Sequence, residues 1–182
     1  MNVYILKSDA KYKTIVPIGS PEVLDELKRF NGKPIGKSWE PLRVEFDEEL
    51  PTNGLASDFP HFLTHVPAFS KRAVKLLADL LEPRGEILPL ICDSGQYFAY
   101  NVTTLVDAMD LELSSLVRFS SGRIMHVNKY VLCEERIQDP MIFKLPQVPL
   151  MSVFVTEPFL RLVKEANLSG FSFVPVTLKS AV

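Results

Sequence analysis

Two stretches of this chain share one layout: SKRAVKLLADLLEPRGEILP from Ser70 to Pro89, and TEPFLRLVKEANLSGFSFVP from Thr156 to Pro175. Each opens on a hydroxyl residue able to accept a hydrogen bond from the first free amides of a helix. Each continues with apolar residues at steps of three and four. These are Ala73, Val74, Leu77, Leu80 and Leu81 in the first stretch, and Phe159, Leu160, Val163 and Ala166 in the second. Such a stripe covers one side of a helix and must be buried against another surface. The spacing predicts helices over Ser70–Glu82 and Thr156–Leu168. Each stretch then passes a glycine, Gly85 or Gly170, into a strand-like run carrying Pro89 or Pro175. Proline lacks an amide hydrogen, so both prolines belong at strand edges or bulges. The shared layout fits an internal duplication. It also fits two helix-to-strand units that converged on the same cap, stripe and glycine.

The rest of the chain is mostly short strands. Val3–Leu6 is one, and Thr14–Ile18 is a candidate partner for it. Ser20-Pro21-Glu22 has the form of a helix start, with Val23, Leu24 and Leu27 on one side and Asn31-Gly32 as the stop. Leu42–Phe46 alternates apolar and polar residues as a half-buried strand does, and Thr52–Phe59 has loop composition. Two hairpins are predicted. One joins Ile87–Ile91 to Tyr97–Val102, and the other joins Val117–Ser120 to Ile124–Cys133 around Ser121-Gly122-Arg123. Met141–Leu145, Val153–Val155 and Phe171–Thr177 complete the set. Hairpins dominate the middle, and helices alternate with strands only in part. The expected fold is therefore α+β, with a mixed, mainly antiparallel sheet and two principal packed helices, in a single domain over residues 1–182.

Charge narrows the function classes. Twenty basic and twenty-two acidic residues leave a net charge of -2, which does not suit a general nucleic-acid or membrane-surface binder. No stretch is long and apolar enough for a membrane span, and the start MNVYILKSDAK lacks a secretory pattern. Cys92 and Cys133 are isolated in sequence; they could form one disulfide, and the commoner arrangement is two buried thiols in a reducing compartment. The expected location is the cytoplasm.

A search for chemistry returns little. His61 and His65 have the spacing of two helical metal ligands, but Pro60 and Pro67 leave room for only a short helix, and no third ligand stands at a suggestive distance. Cys92 has no base beside it, and no serine lies in a nucleophile elbow. Phosphate-binding glycine loops are absent. Asp107, Asp110 and Glu112 lack the loop of a calcium site. Arg118 and Arg123 flank Ser121 and Gly122, where turn amides could hold an anion. The commoner arrangement would have these arginines pair with Asp107, Asp110 or Glu112 as a polar brace. Trp39 is expected to plug the core or anchor its Gly/Pro-rich loop, and the acidic run Glu45, Asp47, Glu48, Glu49 could meet a basic partner or simply be solvated. No catalytic, cofactor-binding or metal-binding residues are expected.

The segments FNGKPIGKSWEPLRVEF, SDFPHF, VPAFSKRAVKLLADLLEPRGEILPL, YFAYNVTTLVDAMD, FSSGRIMHVNKYVL, MSVFVTEPFLRLV and GFSFVPV occur in this order. In that order the chain resembles a large family of bacterial immunity proteins encoded beside polymorphic toxins. GEILPL, NVTTLVDAMD and SGRIM are the most specific pieces. The resemblance implies a protein that binds and neutralises a cognate toxin's C-terminal domain, encoded by a neighbouring gene. It brings no catalytic residues. It implies structural roles for Trp39, Asp107, Asp110, Ser121 and Gly122; with Arg118 and Arg123, read from the residues themselves, these are the expected structural or interface positions. The competing reading is a small-ligand protein or enzyme using the Arg118/Arg123 region.

Overall fold

The computed structural model describes residues 1–19, 22–48, 54–138 and 140–180. In chain order the elements begin with β1 (Val3–Ser8), β2 (Ile15–Pro17), α1 (Glu22–Leu27), β3 (Val44–Phe46) and β4 (Ala68–Ser70). Next come α2 (Lys71–Leu81), β5 (Gly85–Pro89), β6 (Tyr97–Val102), β7 (Ser115–Arg118), β8 (Ile124–Lys129) and β9 (Val131–Cys133). The chain ends with β10 (Ile142–Phe143), β11 (Phe154–Thr156), α3 (Glu157–Glu165), β12 (Phe171–Pro175) and β13 (Thr177–Lys179). The fold is mixed α+β and mostly antiparallel, built around α2 and α3. The strands form several small sheets rather than one.

The two look-alike stretches have the same local topology. β4 and β5, on either side of α2, both pair antiparallel with β6 and flank it in the order β4-β6-β5. β11 and β12, on either side of α3, both pair antiparallel with β1, in the order β10-β11-β1-β12. Each unit is thus a strand, helix and strand split by one antiparallel strand. The difference is where the central strand comes from. β6 is the next strand along, whereas β1 comes from the far end of the chain. Both prolines lie on edge strands, as their missing amides require. Val176 N–H donates to Val3 carbonyl at 2.9 Å. Backbone direction alternates along an antiparallel pair, so the Pro175 nitrogen faces away from β1.

Both helices bury their stripes in one cluster, with Ala73, Leu77, Leu80 and Leu81 beside Phe159 and Val163. Phe171 stacks on Phe59 with ring centroids 4.6 Å apart, and Phe69 packs beside both. Ser70 caps α2 as its position predicts, its hydroxyl accepting the Ala73 N–H at 3.1 Å. Thr156 does not cap α3: its hydroxyl is buried without a hydrogen-bond partner. Gly85 serves closeness of approach rather than a turn. A Cβ there would lie 2.3 Å from the Asn101 carbonyl.

Other expectations fail for reasons of space. Thr14–Ile18 does not pair with β1, because β11 and β12 occupy both edges of β1; β2 instead pairs antiparallel with β3. The Ile124–Cys133 strand breaks at Tyr130, after which β9 leaves the hairpin to pair in parallel with β13. Phe171–Thr177 is likewise divided between β12 and β13. In α1, Leu27 is buried but Leu24 is 56% exposed, so the expected stripe is narrower. Ser20 and Pro21, its expected cap and first residue, lie outside the described residues, as do Glu49 and the start of the Thr52–Phe59 loop.

Buried polar groups tie these pieces together. Asp58, 8% exposed, accepts the Ser70 hydroxyl at 2.8 Å, Arg72 Nη1 at 2.6 Å, and the Ser169 amide and hydroxyl at 3.0 and 3.2 Å. Arg72 also donates to the Ala166 carbonyl at 2.9 Å. One carboxylate therefore joins the start of α2 to the loop after α3. Glu86 accepts the Ile35 and Gly36 amides at 2.7 and 2.8 Å and Asn101 Nδ2 at 2.8 Å. Burial pushes the Glu86 carboxyl up, but the hydrogen bonds from Ile35, Asn101 and Gly36 outweigh it and hold the pKa below its usual value. Lys144 is fully buried, and its ammonium donates to the Phe30 carbonyl.

Asp58→Ala should destabilise the protein by about 2–3 kcal/mol in urea unfolding, because several charge-assisted hydrogen bonds are lost together while Arg72 stays half in water. Lys144 gives a pH signature. Desolvation lowers its pKa from 10.5 to about 7. Between these values the unfolded chain holds a proton that the folded chain has released, so stability should climb from pH 7 towards 10.5. The slope from this one group is at most about 1.4 kcal/mol per pH unit. Lys144→Met should flatten that rise in a series of unfolding curves.

Candidate binding groove

The acids and arginines around the Ser-Ser-Gly turn do not brace one another. Asp110 accepts the amides of Glu112 and Leu113 at 3.0 and 2.9 Å, which fixes the turn after it, and pairs with Lys179 at 3.0 Å. The Leu113 amide, and then Lys179, hold the Asp110 carboxyl below its usual pKa. Asp107 accepts the side-chain amide of Gln147. Arg118 Nη1 donates to the Gly122 carbonyl at 2.8 Å, and the Arg123 guanidinium lies 5.1 Å from the centre of the Phe119 ring. Residues 118–123, Ser121 among them, are all exposed. The expected pairing is replaced by a link from Asp110 to Lys179 of β13. Each guanidinium is engaged within the hairpin, and neither arginine lines the cavities described next.

Trp39 is half-buried, packs edge-on against Phe30 with centroids 5.5 Å apart, and donates its indole N–H to the Pro89 carbonyl at 3.0 Å. It fastens the loop before β3 to the end of β5. His61 and His65 sit in an irregular segment, not on a helix. His61 Nδ1 is 3.0 Å from the Ser8 hydroxyl, and His65 Nε2 is 3.1 Å from the Leu27 carbonyl. Burial lowers the pKa of both, to about 4 for His65. Among the described residues no group of three or more His, Cys, Asp or Glu is placed to hold a metal ion. Cys92 and Cys133 are free thiols.

A feature invisible in the sequence lies on the opposite edge of the Ile124–Lys129 strand. β8–β9 and β12–β13 are two nearly continuous strand pairs that run in parallel. They are zipped at one end, where Val131, Leu132 and Cys133 pair with Thr177, Leu178 and Lys179. Upstream they part. Between Met125–Tyr130 on one wall and Val174–Thr177 on the other lies a groove of about 680 Å³, floored by Ile5, Lys7 and Leu150–Ser152. That volume falls in the roughly 300–1,000 Å³ range of ligand sites. A smaller cavity of about 280 Å³, walled by residues 59–64 and 66–68, opens on the same Ile5, Lys7, Thr64 and Ser152.

The groove has two unpaired walls. Among the described residues β8 pairs only with β7, and β12 only with β1. β7 continues the side of the strand on which residues 108–110 meet β9, through Asp110 N–H to Val131 carbonyl at 2.9 Å and Cys133 N–H to Ala108 carbonyl at 2.8 Å. The free edge of β8 therefore lies on the side that β13 closes further along. Met125, Leu150 and Val174 are 48%, 40% and 39% exposed around this space. Lys7 and Lys129 line it with no carboxylate among the lining residues.

Residues 92–177 match the family model described as Immunity protein family (Imm11). No curated protein matches the chain. The matched span runs from Cys92, in the turn between β5 and β6, to the first residue of β13, and it contains both walls of the groove. Removing the hairpin guanidiniums should leave the fold intact: Arg118→Ala and Arg123→Ala are each expected to change stability by no more than about 0.5 kcal/mol in thermal unfolding, as for exposed side chains outside a network.

Proposed function

Because the chain belongs to the Imm11 family of immunity proteins, whose role is to neutralise a toxin, we propose that it does so by stoichiometric binding. The partner is the C-terminal domain of a cognate toxin encoded by a neighbouring gene, met in the cytoplasm of the producing cell. The family match carries this reading. The structure adds two supports. No side-chain set among the described residues resembles a metal centre, and a wide groove with free strand edges stands open on the surface. No helix of the described chain is long and apolar enough to cross a membrane. A blocking complex of standard size buries roughly 1,600 Å² in total, an area larger than the groove mouth alone supplies. The contact would extend beyond its rim. Asp107, Asp110, Trp39, Ser121 and Gly122 then act by holding the surface in shape. Arg118 and Arg123 stand at the exposed hairpin tip.

Titration of the toxin domain with this chain tests the reading. One equivalent should be needed for full loss of toxin activity, with a one-to-one complex on a sizing column. Protection by a small fraction of an equivalent would mean turnover and would replace binding with catalysis.

A further inference from the structure

We propose that the groove between β8 and β12 receives an extended, acidic segment of the toxin domain, which adds to the free edge of β8 as a further strand. The inference rests on the binding role argued above and assigns it a place and a mode. Three observations carry it. First, among the described residues β8 has strand partners only in β7, so the backbone groups along its other edge are unspent there. An open edge of this kind is a template for a foreign strand, and neighbouring strands need about 4.8 Å of lateral room. Second, the space beside it is already framed as a strand position. β13 fills that position along β9, and the groove is its unfilled continuation. On the far wall Pro175 presents no amide, so β8 is the wall that can offer the fuller ladder. Third, the lining sets the chemistry of the visitor. Lys7 and Lys129 are exposed, no ion-pair partner is found for either among the described residues, and no Asp or Glu faces them across the groove. Met125, Leu150 and Val174 supply apolar contact between the charges. A strand alternating acidic and apolar residues meets both.

The test uses the full-length chain and the purified toxin domain. A Lys7→Glu/Lys129→Glu double variant should keep the parent's melting curve, since both side chains are exposed and no ion pair is lost. Its affinity for the toxin domain should fall tenfold or more, because like charges would then face each other across the slot. In hydrogen exchange, amides within Met125–Lys129 of the parent should become protected when the toxin domain binds. If the parent binds but the double variant binds equally well, or if these amides stay unprotected, the groove is not the docking slot and the binding role survives elsewhere on the surface. If the parent does not bind the toxin domain at all, the binding role itself fails and the slot assignment with it. Protection of the same amides with rising concentration of this chain alone would name a second copy as occupant and overturn the assignment to a toxin segment.

Discussion

The carboxylate of Asp58 fastens both helical units. Its oxygens take the hydroxyl that starts α2, the guanidinium of Arg72, and both polar groups of Ser169 after α3. The aromatic stack of Phe59, Phe69 and Phe171 lies alongside. Gly170 sits in the same crossing with a positive φ of +87, and a Cβ there would lie 2.4 Å from the Ser57 hydroxyl. The chain can enter β12 at this angle only as glycine. Everything on the far side of β12, including one wall of the groove, inherits its position from this knot.

The two split strand-helix-strand units differ in what lies beside their edge strands. In the first, β6 is flanked by β4 and β5, and the chain just past β5 is tied to the start of β3, where the Val44 amide donates to the Ile91 carbonyl. In the second, β1 is flanked by β11 and β12, and β12 keeps a bare outer edge until β13 swings across to β9. Natural sheets rarely leave such an edge uncovered without a safeguard. Pro175, with no amide to offer, and the lysines beside the groove are safeguards of the known kinds. They discourage random pairing while leaving the slot open.

What could be read in the sequence was what is local. α2 declared itself through Ser70, a complete apolar stripe and the glycine at Gly85. The β5–β6 hairpin followed from two strand-like runs around CDSGQ. What could not be read was pairing between distant segments. β2 and β1 are neighbours in sequence, yet β1 is claimed on both sides by strands beyond residue 150. Asp110 was expected to pair with an arginine nearby in sequence and instead meets Lys179. Asp58 gave no signal, because a lone acid in SDFPHF has neither periodicity nor motif spacing. Its role comes from three segments that meet only in the folded chain. The groove is less legible still, because it consists of strands failing to meet.

The placement of β1 has a consequence for how the chain comes into being. Val3 pairs with Thr156 and Tyr4 with Pro175, so β1 is the centre of a sheet whose flanking strands come from beyond residue 150. During synthesis, β4, α2, β5 and β6 can assemble from neighbouring residues as soon as they emerge. β1 must wait, its backbone unspent, until β11 and β12 exist. Contacts at such separation are slow to form and leave strand edges exposed meanwhile. At that stage the β4-β6-β5 unit can stand beside an unpaired β1, and the groove takes shape only once its far wall, Val174–Thr177, is in place.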